Sequence, residues 1–124
     1  MSLLLDTHVF LWWRENSPRL REPTRRAIAR ADDVWISAAS AWEIAIKTRI
    51  GKIRAPASIE QGVEESGFRR LLIDFAHAAG IADLPLHHRD PFDRMLIAQA
   101  RVEGLTIVTH DRRFEPYGVG ILWI

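Results

Sequence analysis

The chain has 124 residues, 48% hydrophobic and 27% charged, with a formal net charge of +1. These are the proportions of one folded domain, residues 1–124, with a core of its own. No apolar run is long enough for a membrane span and no basic n-region precedes an apolar stretch, so neither membrane nor signal peptide is expected; the lack of cysteine excludes disulfides and thiolate metal sites and makes the cytoplasm the expected compartment.

The first element is Leu3-Leu4-Leu5, an apolar run without alternation, as in a strand buried on both faces. It runs straight into Asp6, which places a carboxylate at the carboxyl end of a sheet, where open α/β folds form their crevices. Thr7 to Arg14 reads as a short helix with Asp6 as N-cap, and Trp12 and Trp13 lie on or beside its buried face. Pro23 to Ala31 is a second helix, burying Ala27, Ile28 and Ala31 and leaving Arg25, Arg26 and Arg30 solvated. Val34-Trp35-Ile36 is a second strand, closed by Ser37. Ser40-Ala41-Trp42-Glu43 has the form of a capping box, opening a helix that runs to Ile50 with Gly51 as terminator.

Lys52 to Ala57 is a loop holding Pro56. Ser58 to Gln61 is another capping box, and Gly67 ends its helix. Arg70 to Ile73 reads as a third strand, and Asp74 caps a short helix through Ala82. Leu84 to Arg89 is a loop. Asp90-Pro91-Phe92-Asp93 is the sharpest helix start, with Asp90 at N-cap, Pro91 at N1 and Asp93 at N3. That helix continues to Glu103, with Gly104 at its end. Leu105 to Val108 is the fourth strand, leading into Thr109-His110-Asp111. Arg112 to Tyr117 is a loose turn and Val119 to Trp123 a last strand. Strands alternating with helices predict a parallel sheet with helices on both faces.

Asp6, Glu43, Asp93 and Asp111 each sit just beyond a strand or near a helix start. Any one of them alone has an ordinary role as cap or dipole partner, and Glu43 also has Lys47 four residues on. Together, at the crevice such a sheet forms, four like charges repel and raise one another's pKa. A hard divalent cation, Mg²⁺ or Mn²⁺, relieves that repulsion, leaves room for a phosphate and suits phosphodiester hydrolysis. His87-His88 with Asp90 does not match a zinc site, because adjacent loop histidines point apart. His8 and His110 are assigned to packing, with contact to a substrate phosphate as the alternative. Asp90 is assigned to capping, with support of a neighbouring ligand as the outside option. Fifteen of the seventeen basic residues are arginine; either a phosphate-binding surface or a G+C-rich genome produces that bias. Arg89, Arg94, Arg112 and Arg113 flank this end of the sheet and are the candidates for RNA phosphates.

Leu5-Asp6-Thr7-His8, Ser40-Ala41-Trp42-Glu43-Ile44, Asp90 through Ala100 and Val108-Thr109-His110-Asp111 resemble, in order and spacing, the motifs of PIN-domain proteins. Over essentially its whole length the chain is similar to the VapC toxins of bacterial toxin–antitoxin pairs. The resemblance implies a three-layer α/β/α sandwich around a mostly parallel sheet, and an Mg²⁺-dependent endoribonuclease in which Mn²⁺ can substitute. It implies a metal-binding quartet falling on Asp6, Glu43, Asp93 and Asp111, with Thr109 as a polar neighbour. It further implies structured RNA substrates (tRNA or ribosomal RNA), inhibition of translation, a homodimer, and a VapB-like antitoxin whose tail covers the groove. Two rivals stand beside it: a DNA nuclease of the same architecture, and a non-catalytic nucleic-acid- or partner-binding module whose acids are only caps.

Overall fold

The computed structural model describes residues 1–54 and 58–124, so Ala55, Pro56 and Ala57 of the expected Lys52–Ala57 loop lie outside the described residues. The first strand, β1 (Ser2–Leu5), is the unbroken apolar run, with Leu3, Leu4 and Leu5 all buried. Its pleat sends Leu3 and Leu5 to one face and Leu4 to the other. Leu3 and Leu5 join Val9, Phe10, Ile28, Val34, Ile44 and Val63 in one core. Leu4 joins Ala39, Leu96, Ile97, Ile107, Phe114 and Tyr117 in a second. Two cores on the two faces of one sheet give three layers, helix–sheet–helix.

The elements after β1 are α1 (Thr7–Glu15), α2 (Glu22–Arg30), β2 (Asp33–Ser37), α3 (Ala38–Arg49), α4 (Ile59–Glu65), β3 (Arg69–Leu71), α5 (Phe75–Ile81), α6 (Pro91–Glu103), β4 (Thr106–Thr109), a 3₁₀ turn over Arg112–Tyr117, and β5 (Ile121–Trp123). Every strand pair is parallel, in the order β3-β2-β1-β4-β5. The chain steps outward from β1 to β3, then crosses back to β4 on the other side. The order therefore reverses between β1 and β4, and the carboxyl ends of those two strands border a crevice.

Several local readings differ from the sequence expectation. The cap of α3 is Ser37, whose Oγ accepts from the Ala39 amide at 2.9 Å; Ser40 sits inside the first turn, with its Oγ 2.9 Å from Thr7 Oγ1. Ser37 takes the cap because β2 passes into α3 without a loop. In α4, Ser58 caps as expected, but the Gln61 side chain donates to Glu65 Oε1 instead of closing the box. The third strand ends at Leu71, because its partner β2 ends in register at Ser37; Leu72 and Ile73 are left exposed. Arg25 is not solvated. Its guanidinium donates to the carbonyls of Trp12, Ser17 and Leu20 and seals the α1–α2 connection.

Ser37 Oγ also donates to Gln99 Oε1 at 2.6 Å, and Gln99 is fully buried. Ser37→Ala removes a helix cap and leaves that amide oxygen without its donor, a loss of about 2 kcal/mol. A lower urea midpoint with an unchanged slope is the expected reading.

Candidate active site

Each carboxylate reaches the β1/β4 crevice by a different local device. Asp6 is handed over directly from strand to helix: its amide still donates to Val108 O at 3.1 Å, while its Oδ1 caps α1 by accepting from the Val9 amide at 2.9 Å. Its Oδ2 accepts from the Thr109 hydroxyl at 2.5 Å, and the same Thr109 oxygen accepts from the Asp111 amide at 3.0 Å. Thr109 thus ties the ends of β1 and β4 together, between two acids.

Glu43 enters from α3. Its Oε1 accepts from the Thr7 hydroxyl at 2.7 Å and its Oε2 from Lys47 Nζ at 2.5 Å. The expected helical pair with Lys47 is therefore present, but Glu43 is only 3% exposed, inside the groove rather than on a solvated face.

Asp93 stands at the third position of α6, fixed by its amide, which donates to Asp90 Oδ1 at 3.0 Å. Asp93 Oδ2 lies 2.7 Å from His88 Nε2. Asp111 caps the 3₁₀ turn and is gripped by Arg113: Nη2 donates to Oδ2 at 2.8 Å, and Nε to Oδ1 at 3.0 Å. Asp6, Glu43, Asp90, Asp93 and Asp111 together line one groove of about 510 Å³.

The electrostatics follow from this crowding. Burial, more than any neighbour, pushes the Asp6 carboxyl above its ordinary value. Asp93 is pushed up to about 8, first by burial and then by Asp90, Asp6, Glu43 and Asp111. Asp111 goes the other way, held below the usual range by its hydrogen bonds to Arg113. His88 is lowered, chiefly by burial and then by Arg113, so it stands as a neutral imidazole near pH 7. Lys47 is raised, first by its hydrogen bond to Glu43.

His88 is the site residue that sequence reasoning missed. The two histidines do point apart: His87 is exposed against Tyr117, whereas His88 is buried and faces Asp93 and Asp111, not Asp90. One ligand atom from each of His88, Asp93 and Asp111 falls within 4.8 Å of the others.

The four arginines separate. Arg112 and Arg113 line the groove. Arg112 lies 4.2 Å over the Trp123 ring. Arg89 is exposed and outside the groove lining. Arg94 is committed elsewhere: its guanidinium donates to the carbonyls of Leu84, Pro85 and His88 and to the Tyr117 hydroxyl. Its reach along α6 to the preceding loop, not a phosphate, satisfies it. Tyr117 Oη in turn accepts from the His88 amide at 2.8 Å, so Arg94 and Tyr117 hold the loop that carries His88. Arg94→Gln is expected to lower stability by about 2 kcal/mol in chemical denaturation; a residue that only touched RNA would leave it unchanged.

A wholly parallel α/β sheet with buried and half-buried carboxylates converging at its switch point defines an α/β domain with an acidic crevice. The chain belongs to the PIN-domain family, whose domain matches residues 3–119. It is 30% identical over 119 residues to ribonuclease VapC22 of Mycobacterium tuberculosis, covering 94% of this chain and 92% of that protein. Its fold is similar to VapBC2 from Rickettsia felis bound to a promoter DNA fragment, with a TM-score of 0.71 at 14% identity and 98% of each chain covered. It is also similar to DNA-bound VapBC from Salmonella typhimurium, with a TM-score of 0.67 at 20% identity, covering 98% of this chain and 97% of that one.

Proposed function

We propose that residues 1–124 form the toxin of a toxin–antitoxin pair, a metal-dependent endoribonuclease that stops translation by cutting structured RNA. The observation that carries this reading is the convergence of Asp6, Glu43, Asp93 and Asp111 in one groove at the switch point, with Asp93 raised to about 8 by burial and by its fellow acids. Acids crowded in this way are costly unless a cation joins them. The name of the 30%-identical relative supports RNA as the substrate, and the VapBC assemblies among the structural neighbours support a VapB-like antitoxin. A homodimer and a cytoplasmic location complete the reading.

The donor set suits a hard divalent ion: carboxylate oxygens dominate, with one neutral imidazole beside them. Asp6 and Asp93 are the main ligands, and Glu43 and Asp111 complete the site. Bound there, Mg²⁺ or Mn²⁺ supplies charge screening for the phosphate and a more acidic water. The chain's own groups do the rest. Thr7 and Lys47 orient Glu43, leaving lone pairs free to align an attacking water and take its proton. Thr109 fixes Asp6, and His88 fixes Asp93. Arg113 and Arg112 offset negative charge at the groove mouth, where RNA phosphate enters.

Purified protein incubated with tRNA and ribosomal RNA should give discrete fragments with Mg²⁺ or Mn²⁺ and none with a chelator, and Asp6→Asn should give none in either buffer. Cleavage of DNA in preference to RNA of the same sequence, or cutting by Asp6→Asn, would reject the proposal.

A further inference from the structure

A second groove, of about 760 Å³, opens beside the acidic one. Trp12, Arg19 and His110 line both, so the two form one continuous depression with the indole in their shared wall. The chemistry changes across that wall. No carboxylate side chain lines the second groove; Arg19, Arg21, Pro18 and Ile124 do. Trp12 is half-buried, with its ring 5.1 Å from that of His110 and the Arg19 guanidinium 5.8 Å from its centroid. Arg19 and Arg21 are exposed, and among the described residues neither reaches a carboxylate.

An indole and an imidazole in contact offer flat surface to another ring, and guanidinium groups without a carboxylate partner beside them offer forks to a phosphate. These are the two halves of a nucleotide. A strand whose scissile phosphate lies among the acids must continue somewhere, and this groove is the neighbouring depression free of carboxylate side chains. We propose that it is a nucleotide subsite, in which an unpaired base of the substrate strand stacks on Trp12 beside His110 while Arg19 and Arg21 hold the adjoining phosphate. The inference rests on the ribonuclease reading above and adds a requirement to it: the nucleotide next to the cut is unpaired, because a paired base already has both faces stacked. An acidic peptide would engage the arginines but leave the indole–imidazole pair without a role.

The test is binding of a fluorescently labelled single-stranded oligoribonucleotide in chelator, where nothing is cut, followed by anisotropy and by tryptophan emission. Wild type should bind the single strand in preference to the matching duplex. Trp12→Leu should weaken binding about tenfold, as expected for loss of one stacked base, and Arg19→Gln should weaken it and flatten its salt dependence. Trp12→Phe keeps a ring, so it should keep most of the affinity while losing the part of the emission quench that belongs to Trp12; it also guards against a Trp12→Leu protein that fails to fold. No binding by wild type, preference for the duplex, or equal affinity in Trp12→Leu and Arg19→Gln would overturn the subsite, and equal affinity is also the result expected if a peptide occupies the groove. The two readings fail separately. RNA cleavage that is indifferent to Trp12 and Arg19 rejects the subsite alone; Trp12-dependent binding without metal-dependent cleavage rejects the nuclease alone.

Discussion

Asp93→Asn is expected to reduce RNA cleavage by about a thousandfold or more and at the same time to raise the melting temperature of the metal-free protein. The two effects have one cause. Asp93 is half-buried among four other carboxylates, and its pKa stands at about 8 in the fold against about 3.9 in an unfolded chain. The folded state therefore holds a proton that the unfolded state releases. Stability from this group is complete below about pH 4 and is lost as pH rises through about 8, at up to about 1.4 kcal/mol per pH unit. Asparagine carries no charge and escapes that loss. His88, whose pKa is lowered, tilts stability the other way below about pH 6.5, so the Asp93 effect reads most clearly between about pH 6.5 and 8. Over that window the metal-free wild type should melt lower with each step in pH and Asp93→Asn should stay nearly flat, with a residual slope from Asp6, which is raised as well. Melting curves across a pH series check both. A wild type that gains stability toward pH 8 would mean that Asp93 is not crowded.

His88→Ala is expected to weaken Mn²⁺ binding and cleavage by about 10- to 100-fold, the usual cost of losing a partner that orients a ligand. His88 Nε2 lies 2.7 Å from Asp93 Oδ2 and 4.0 Å from Asp111 Oδ2, so it spans the two acids from α6 and the 3₁₀ turn. Its own loop is anchored by Tyr117 and Arg94. Without the imidazole, Asp93 keeps its place on the helix but loses its rotamer lock. Excess Mn²⁺ should therefore restore much of the His88→Ala activity, while Asp93→Asn should stay inactive at every concentration. Titration of cleavage rate against Mn²⁺ for both variants separates a ligand from a residue that positions one.

Asp6 and Asp93 were placed by local signals. Leu3-Leu4-Leu5 marks a buried strand and Asp6 its end; Asp90-Pro91 marks a helix start and so fixes which way Asp93 points. The observed cap at Asp90 and the αL conformation of Gly104 follow that reading. What stayed hidden was decided by contacts distant in sequence. Ser40 reads as the cap of α3, but β2 runs into α3 without a loop and hands that role to Ser37, whose hydroxyl also reaches Gln99, 62 positions away. Arg94 looks like one more surface arginine until the 84–90 loop folds over it. His88 and His87 are indistinguishable in sequence; only the contact of His88 with Asp93, on a different element, shows which one turns inward. Lys47 reads as the helical partner of Glu43, and only the placement of α3 shows that it is a cation inside an acidic groove.

The central claim is that these acids form one divalent-cation site. Calorimetric titration of the metal-free protein with Mn²⁺ at pH 7, in two buffers of different ionisation enthalpy, tests it most directly. The account predicts one saturable event in the wild type that releases a proton, because the ion displaces the proton held by Asp93, and no such event in Asp93→Asn. Equal binding by the two proteins, or binding without proton release in the wild type, would contradict it.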